Sequence, residues 1–331
     1  MKVARPLVHI GFPKTATTWF QRSFYPHVRN LPYLDRAGVN AALLEGNAFA
    51  FDPAEARKIL GLEEGGAGIL CEEGLSGYLH NGGMLGFASM AIAERIRSTL
   101  PDARIVIFLR SQPKMIAAAY QQYVRGGGTH GPHRFVFPQD YLIGSNAQAY
   151  KQPRFDIEHF LYSRMIGHYE ALFEPENVHV FLFEQLGAEG AAFLRRYADA
   201  LGLEVDWPAV SMAPRLPSYG LPLTRLARFL NLFTARSVLD KHHVVHVPGW
   251  YALRRRILET LNRTRLLGAP PSPERLFGVD TVRWLEDFYA GDNRRVAEAR
   301  GLPLETHGYP VRVAGGHPRP HAPRWRKWLA R

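Results

Sequence analysis

The sequence predicts an α/β protein: a doubly wound parallel sheet with helices on both faces and a mainly helical C-terminal cap. Three observations carry the prediction. Short apolar runs at 7–10, 69–71, 103–109 and 178–183 alternate with stretches of helical periodicity. The last two runs are apolar almost throughout, the pattern of strands covered on both faces. From about residue 213 the strand signal stops and the chain becomes helical and basic.

The elements follow in order. Leu7-Val8-His9-Ile10 reads as the first strand, followed by the loop Gly11-Phe12-Pro13-Lys14-Thr15-Ala16-Thr17-Thr18 and a helix to about Tyr25. Residues 30–50 read as loop. Asp52 caps a helix over 52–60 with Pro53 at its first position, where a missing N–H costs nothing. Gly65-Gly66-Ala67-Gly68 breaks the chain before the strand Ile69-Leu70-Cys71, which ends at Glu72-Glu73-Gly74. A helix over 84–100 has apolar positions at Met90, Ile92, Ile96 and Leu100. Pro101-Asp102 turns into the strongest strand, 103–109, which ends at Arg110 ahead of a helix over 114–124. Gly126-Gly127-Gly128 then opens an irregular stretch to about residue 153. A helix over 157–173, a strand over 178–183 closed by Glu184-Gln185-Leu186, and a helix over 190–201 complete the alternation. Further helices fall at 221–233, 253–263, 279–289 and 293–300. With no repeat and no clear linker, 1–310 reads as one domain, with an α/β core over 5–205 and a helical part over 213–310. A basic tail, 311–331, follows.

Composition bounds the function. The chain has 331 residues, of which 46% are hydrophobic, enough for a substantial core. Cys71 is its one cysteine, which excludes an intramolecular disulfide and a multi-cysteine metal site and fits a reducing compartment. Residues 1–6 carry no signal-like apolar stretch, and nothing approaches the ~20 apolar residues that span a bilayer. The expectation is a cytoplasmic protein, at most peripheral at the inner membrane surface. A net charge of +11 points to anionic partners. No zinc-finger or RNP signature is present, so nucleic acid is not expected. The tail alternates His, Pro, Arg and Trp. It reads as a solvated terminus, or as a weak contact with an anionic membrane through Trp325 and Trp328.

The loop after the first strand has the make-up of a phosphate cradle. Unpaired N–H groups at a helix start, together with the helix dipole, favour an anion. Lys14 adds a positive charge, and Thr15, Thr17 and Thr18 add hydroxyl donors. A Walker A loop needs glycine directly before its lysine, and here the residue is Pro13. The ends of the first three strands carry Lys14, then Glu72 and Glu73, then Arg110, and ligands of open parallel sheets bind at that rim.

The run Pro13-Lys14-Thr15-Ala16-Thr17-Thr18-Trp19 resembles the 5′-phosphosulfate loop of the PAPS-dependent sulfotransferases, PAPS being 3′-phosphoadenosine 5′-phosphosulfate. The resemblance extends weakly from about residue 8 to about residue 310, through Glu73-Gly74-Leu75-Ser76, Tyr120-Gln121-Gln122-Tyr123, Glu184 and Tyr289-Ala290-Gly291-Asp292-Asn293. It implies a P-loop-like fold and transfer of a sulfuryl group from PAPS to a hydroxyl or amine of a carbohydrate, glycolipid or small metabolite, with no metal. Lys14 would neutralise the leaving 5′-phosphate, and Glu73, with Glu72 as its rival, would be the general base. Arg110 would grip the 3′-phosphate. The family serine that shares this task falls on Ala118, or on Ala117 or Ala119 if the register slips; Ser111, or Arg215 and Ser218, could compensate. Trp19 is either an adenine platform or a core aromatic. Two other readings stay open: an ATP- or GTP-using phosphotransferase, and a family member that binds a nucleotide or anion without turnover. His80, His130 and His133 are candidates for an acceptor pocket. His242, His243 and His246 lack the carboxylate spacing that would complete a metal site.

Overall fold

The computed structural model describes residues 4–79, 82–141, 154–212, 218–235, 241–264, 267–313 and 315–321. Four strands, β1 (Leu7–His9), β2 (Ile69–Cys71), β3 (Arg104–Leu109) and β4 (Val178–Leu182), form one sheet of order β2-β1-β3-β4. Every pairing is parallel, with Leu7 opposite both Ile69 and Arg104 and with Ile105 opposite Val178. The chain adds β2 on one side of β1 and then returns to add β3 on the other. The crevice beyond the C-terminal ends of β1 and β3 is therefore the switch point of the sheet, where open α/β folds bind ligands.

Both faces of the sheet are covered. Val8, Leu70, Ile105, Ile107 and Leu109 point into one layer, against Ile92, Ile96, Met115, Tyr169 and Leu285. Leu7, Ile69, Cys71, Val106 and Phe108 point into the other, against Phe20, Phe24, Tyr25, Phe193 and Tyr197. Each such side chain contributes on the order of 1.5–3 kcal/mol when fully buried, so three residues suffice to hold a strand.

The helices begin with α1 (Thr17–Trp19), which runs on through a π-turn at Phe20–Phe24, α2 (Arg36–Val39) and α3 (Pro53–Ile59). They continue with α4 (Gly82–Leu85), α5 (Phe87–Thr99), α6 (Gln112–Arg125), α7 (Pro132–Val136) and α8 (Tyr162–Phe173). After β4 come α9 (Phe183–Glu189) and α10 (Ala191–Ala200). The C-terminal part supplies α11 (Leu221–Leu230), α12 (Trp250–Arg263), α13 (Pro273–Phe277) and α14 (Val279–Arg300). Among the described residues no helix is long and apolar enough to cross a membrane.

Several elements differ from the sequence expectation. Residues 30–50, expected as loop, contain α2 and a π-turn at Asn40–Leu44. Asp35 caps α2 by accepting from the N–H groups of Ala37 and Gly38 at 2.7 and 3.1 Å, and Val39, Ala42 and Leu43 are buried. The helix expected over 84–100 breaks at Gly86, whose φ is 90°, and Met90, one of its apolar positions, is 55% exposed. A 3-10 turn, Ile157–Phe160, precedes α8. Glu184-Gln185-Leu186 lies inside α9, and the irregular stretch after residue 126 contains α7. The two helices expected at 279–289 and 293–300 are one, α14. Gly291 costs a helix interior roughly 1 kcal/mol, which burial of Tyr289, Ala290, Asp292, Asn293 and Val296 around it outweighs.

Candidate active site

The loop between β1 and α1 is built by backbone conformation. Gly11, Lys14 and Ala16 have φ of 36°, 69° and 68°. Left-handed residues interspersed with ordinary ones turn successive N–H groups toward one concavity, a nest suited to an anion. A non-glycine residue pays about 1–2 kcal/mol for such a φ, and the loop pays it at Lys14 and again at Ala16. The Thr15 hydroxyl donates to the Phe12 carbonyl at 2.5 Å, so it closes the loop instead of facing outward. The Thr17 hydroxyl is buried without a hydrogen-bond partner, whereas Thr18 is exposed. No side chain caps the N-terminus of α1. Pro13 is buried and Lys14 half-buried.

Gly11 is required where it stands. A Cβ there would lie 2.9 Å from Nε2 of His9 and 3.2 Å from Oγ1 of Thr17. His9 cannot retreat. It is fully buried in β1, its Nδ1 pairs with the Tyr25 hydroxyl at 2.7 Å, and Tyr25 pairs in turn with Tyr197 at 2.6 Å. Burial pulls the His9 imidazole down to a pKa of about 3, so it is neutral. This chain, missed in the sequence reading, ties the floor of the loop to α10. Its two bonds span 16 and 172 residues, and only the lone polar residue in an apolar strand hinted at it.

Arg110 stands where β3 ends. Its Nη1 donates to the Lys14 carbonyl at 2.8 Å, its guanidinium lies 4.5 Å from the centre of the Phe183 ring, and its Nε is buried without a partner. Burial lowers its pKa, opposed first by the charge of Glu184. The Arg110 carbonyl accepts from the Tyr162 hydroxyl at 2.6 Å. Glu184 is occupied in holding this corner, since it accepts from Ser111 N at 3.0 Å and from the Tyr309 hydroxyl at 2.8 Å. The Ser111 hydroxyl donates to the Gly308 carbonyl at 2.9 Å. On α6, Gln112 and Asn293 exchange amide hydrogen bonds at 2.7 and 3.0 Å, which anchors α6 to α14. Ala118 is half-buried, on the same stripe of α6 as Gln122 and Arg125, while Ala117 and Ala119 are buried. Arg125 is held by Glu259 at 2.5 Å.

The two carboxylates after β2 have different surroundings. Glu72 is 4% exposed, pairs with Nε of Arg36 at 2.5 Å and accepts from Gly74 N at 3.2 Å. It caps the Glu73–Ser76 turn and is spoken for. Glu73 is half-buried and carries no hydrogen bond to its carboxylate among the described residues. Burial raises its pKa, and the positive charge of Lys14 draws it back. Lys14 is the mirror case: burial lowers its pKa, Glu73 raises it, and Arg110 and Arg125 lower it further. Lys14, Glu73 and Arg110 thus sit within electrostatic reach around one crevice.

Trp19 is half-buried against Phe20 and Phe24, with ring centres at 5.2 and 6.3 Å, and its indole N–H donates to the Ser211 carbonyl at 3.0 Å. His130 is buried and its ring meets that of His242 at 5.0 Å; His133 Nδ1 pairs with the Tyr141 hydroxyl at 3.0 Å. Among the described residues no group of three His, Cys, Asp or Glu is disposed to hold a metal ion. Ser218 is half-buried ahead of α11. His80, Arg215, Trp325 and Trp328 lie outside the described residues.

Fold and site together define an α/β protein with a parallel sheet and, at its switch point, a crevice bordered by Lys14, Glu73 and Arg110. Among solved structures the chain is similar to a sulfotransferase from Alicyclobacillus acidocaldarius, with 18% sequence identity and a TM-score of 0.41 over 65% of this chain and 87% of that one. No family model and no curated protein matches the chain.

Proposed function

We propose that the chain is a PAPS-dependent sulfotransferase that moves a sulfuryl group to a hydroxyl or amine by in-line displacement. The observation that carries this reading is the junction of two anion sites. The nest with Lys14 faces the crevice from β1, Arg110 faces it from β3, and Arg110 bonds the Lys14 carbonyl. A donor with phosphates at both its 5′ and 3′ ends fits two such sites. The unpartnered Thr17 hydroxyl and Arg110 Nε are free donors for those anions, and a donor buried without a partner costs about 1–3 kcal/mol until it finds one.

In the reaction the bond from sulfur to the 5′-phosphate oxygen breaks as a bond from sulfur to the acceptor oxygen forms. Lys14 and the nest stabilise charge growing on the leaving phosphate. Glu73 takes the acceptor proton, and its raised pKa suits a base working near neutral pH. Glu72, committed to Arg36, positions the turn. Pro13, Thr15 and Ala16 shape the loop, and Trp19 borders it. A magnesium-dependent phosphotransferase would need a carboxylate where Arg110 stands.

The test is PAPS-dependent transfer of labelled sulfate by wild type and Lys14→Ala. Loss of transfer by at least a hundredfold in the variant is expected. Transfer at wild-type rate by Lys14→Ala overturns the reading.

A further inference from the structure

A cavity of about 800 Å³ opens beside the crevice, bounded by the start of α5, the turn at Ile157–Phe160, α8 and α14. That volume suits a small organic molecule. Most of the exposed wall is apolar, with Met90, Phe155, Met165, Trp284 and Phe288 among its residues, and Asp156, Glu158, Arg164 and Arg319 add charge. Two imidazoles stand out, since His159 and the less buried His168 each keep Nε2 buried without a hydrogen-bond partner. His159 is only 9% exposed. Burial lowers its pKa to about 4, so near neutral pH it offers one hydrogen bond and no charge.

Two residues of the cavity wall touch the segments that carry the candidate active site. The His159 ring packs edge-on against Phe12 of the β1 loop, with centres 5.6 Å apart. Ser89, another wall residue, donates to the Ser76 carbonyl at 3.0 Å, at the end of the turn that carries Glu73. At the rim, Met84, Leu85 and Gly86 have φ of 56°, 62° and 90°. Such strain in consecutive residues, two of them not glycine, is a feature of ligand-clamping segments. Leu85 and Met90 are 50% and 55% exposed there, apolar groups without cover.

We propose that this cavity holds the apolar body of the sulfuryl acceptor, so that the acceptor is an amphiphilic alcohol or phenol with one polar atom bonded to His159. This rests on the sulfotransferase reading of Lys14 and Glu73. A bare sugar is a poor occupant. Asp156, Glu158 and Arg164 offer partners to a few of its hydroxyls, but those facing the methionine, phenylalanine and tryptophan side chains stay unmatched, each with a desolvation penalty.

The test uses 4-alkylphenols from ethyl to octyl, titrated calorimetrically into the full chain without nucleotide. Affinity should rise about three- to fourfold per methylene until the cavity is filled. Met90→Asp should weaken binding at least tenfold with the melting temperature unchanged. His159→Phe should erase the preference for an alkylphenol over the matching alkylbenzene. Affinity independent of chain length, or unaltered in Met90→Asp, overturns the proposal. Lys14→Ala separates the two claims, because it should bind alkylphenols normally while transferring no sulfate. Alkylphenol binding as expected, with no PAPS-dependent sulfation by wild type, would refute the enzymatic reading and with it the acceptor role. Sulfation of a bare sugar with no alkylphenol binding would refute the cavity proposal alone.

Discussion

Gly11→Ala isolates the backbone logic of the anion cradle. The substitution adds one methyl group at a φ of 36°. That conformation costs an L-residue about 1–2 kcal/mol. The methyl would also sit 2.9 Å from His9 Nε2, 3.1 Å from His9 Cδ2 and 3.2 Å from Thr17 Oγ1. The imidazole is pinned between the Tyr25 hydroxyl and the Phe108 ring, stacked at 5.1 Å, so relief has to come from the loop. Overpacking of a rigid site adds about 1–3 kcal/mol. Together these predict a loss of about 2–5 kcal/mol in urea unfolding, read as a lower midpoint with unchanged m-value. Binding of adenosine 3′,5′-bisphosphate, the desulfated donor, should weaken in the same variant as Thr17 is displaced. A midpoint within about 0.5 kcal/mol of wild type, which is the scatter of innocuous surface changes, together with normal nucleotide affinity, would refute the reasoning.

The two glutamates after β2 should part company when each is substituted. Glu73→Gln is expected to lower kcat by about 10²–10⁴ while nucleotide binding persists; retained turnover would remove Glu73 as the base. The pH behaviour follows from the sign of its shift. A carboxyl with a raised folded pKa binds more protons folded than unfolded between the two values, so this group makes wild type lose stability as pH rises through that window. Glu73→Gln should lack this loss and melt no lower than wild type at neutral pH, as melting curves across pH would show. The acid limb of the wild-type rate profile should lie above the ordinary glutamate range for the same reason. Glu72→Gln should do the reverse: it breaks the pair with Arg36, whose side chain is half exposed, and costs about 1–2 kcal/mol after solvent screening. Turnover within a few-fold of wild type at a lowered melting temperature is the expected result.

The sequence made legible what depends on neighbours along the chain. The runs behind β3 and β4 announced themselves because both sheet faces are covered, and Lys14, Glu73 and Arg110 could be placed on one rim because parallel strands end on one side. Pairings between distant segments were not legible. The Glu72 to Arg36 pair, the His9–Tyr25–Tyr197 chain and the Ser111 to Gly308 bond join segments that periodicity cannot connect. Met90 and Ile92 stand about 200° apart around α5, so Ile92 and Ile96 enter the core while Met90 faces the cavity. The gap between the helices expected at 279–289 and 293–300 is closed by burial on both sides of Gly291, which local sequence does not display.

The central claim is that the crevice takes a nucleotide phosphorylated at both its 5′ and 3′ ends. Melting curves with adenosine 3′,5′-bisphosphate, with AMP, and with ATP and magnesium test it most directly. At a hundred times its Kd the bisphosphate should add about 2.7 kcal/mol of stability. That gain should vanish in Lys14→Ala, and in Arg110→Ala it should fall to the level seen with AMP. Stabilisation by ATP with magnesium and none by the bisphosphate would contradict the account.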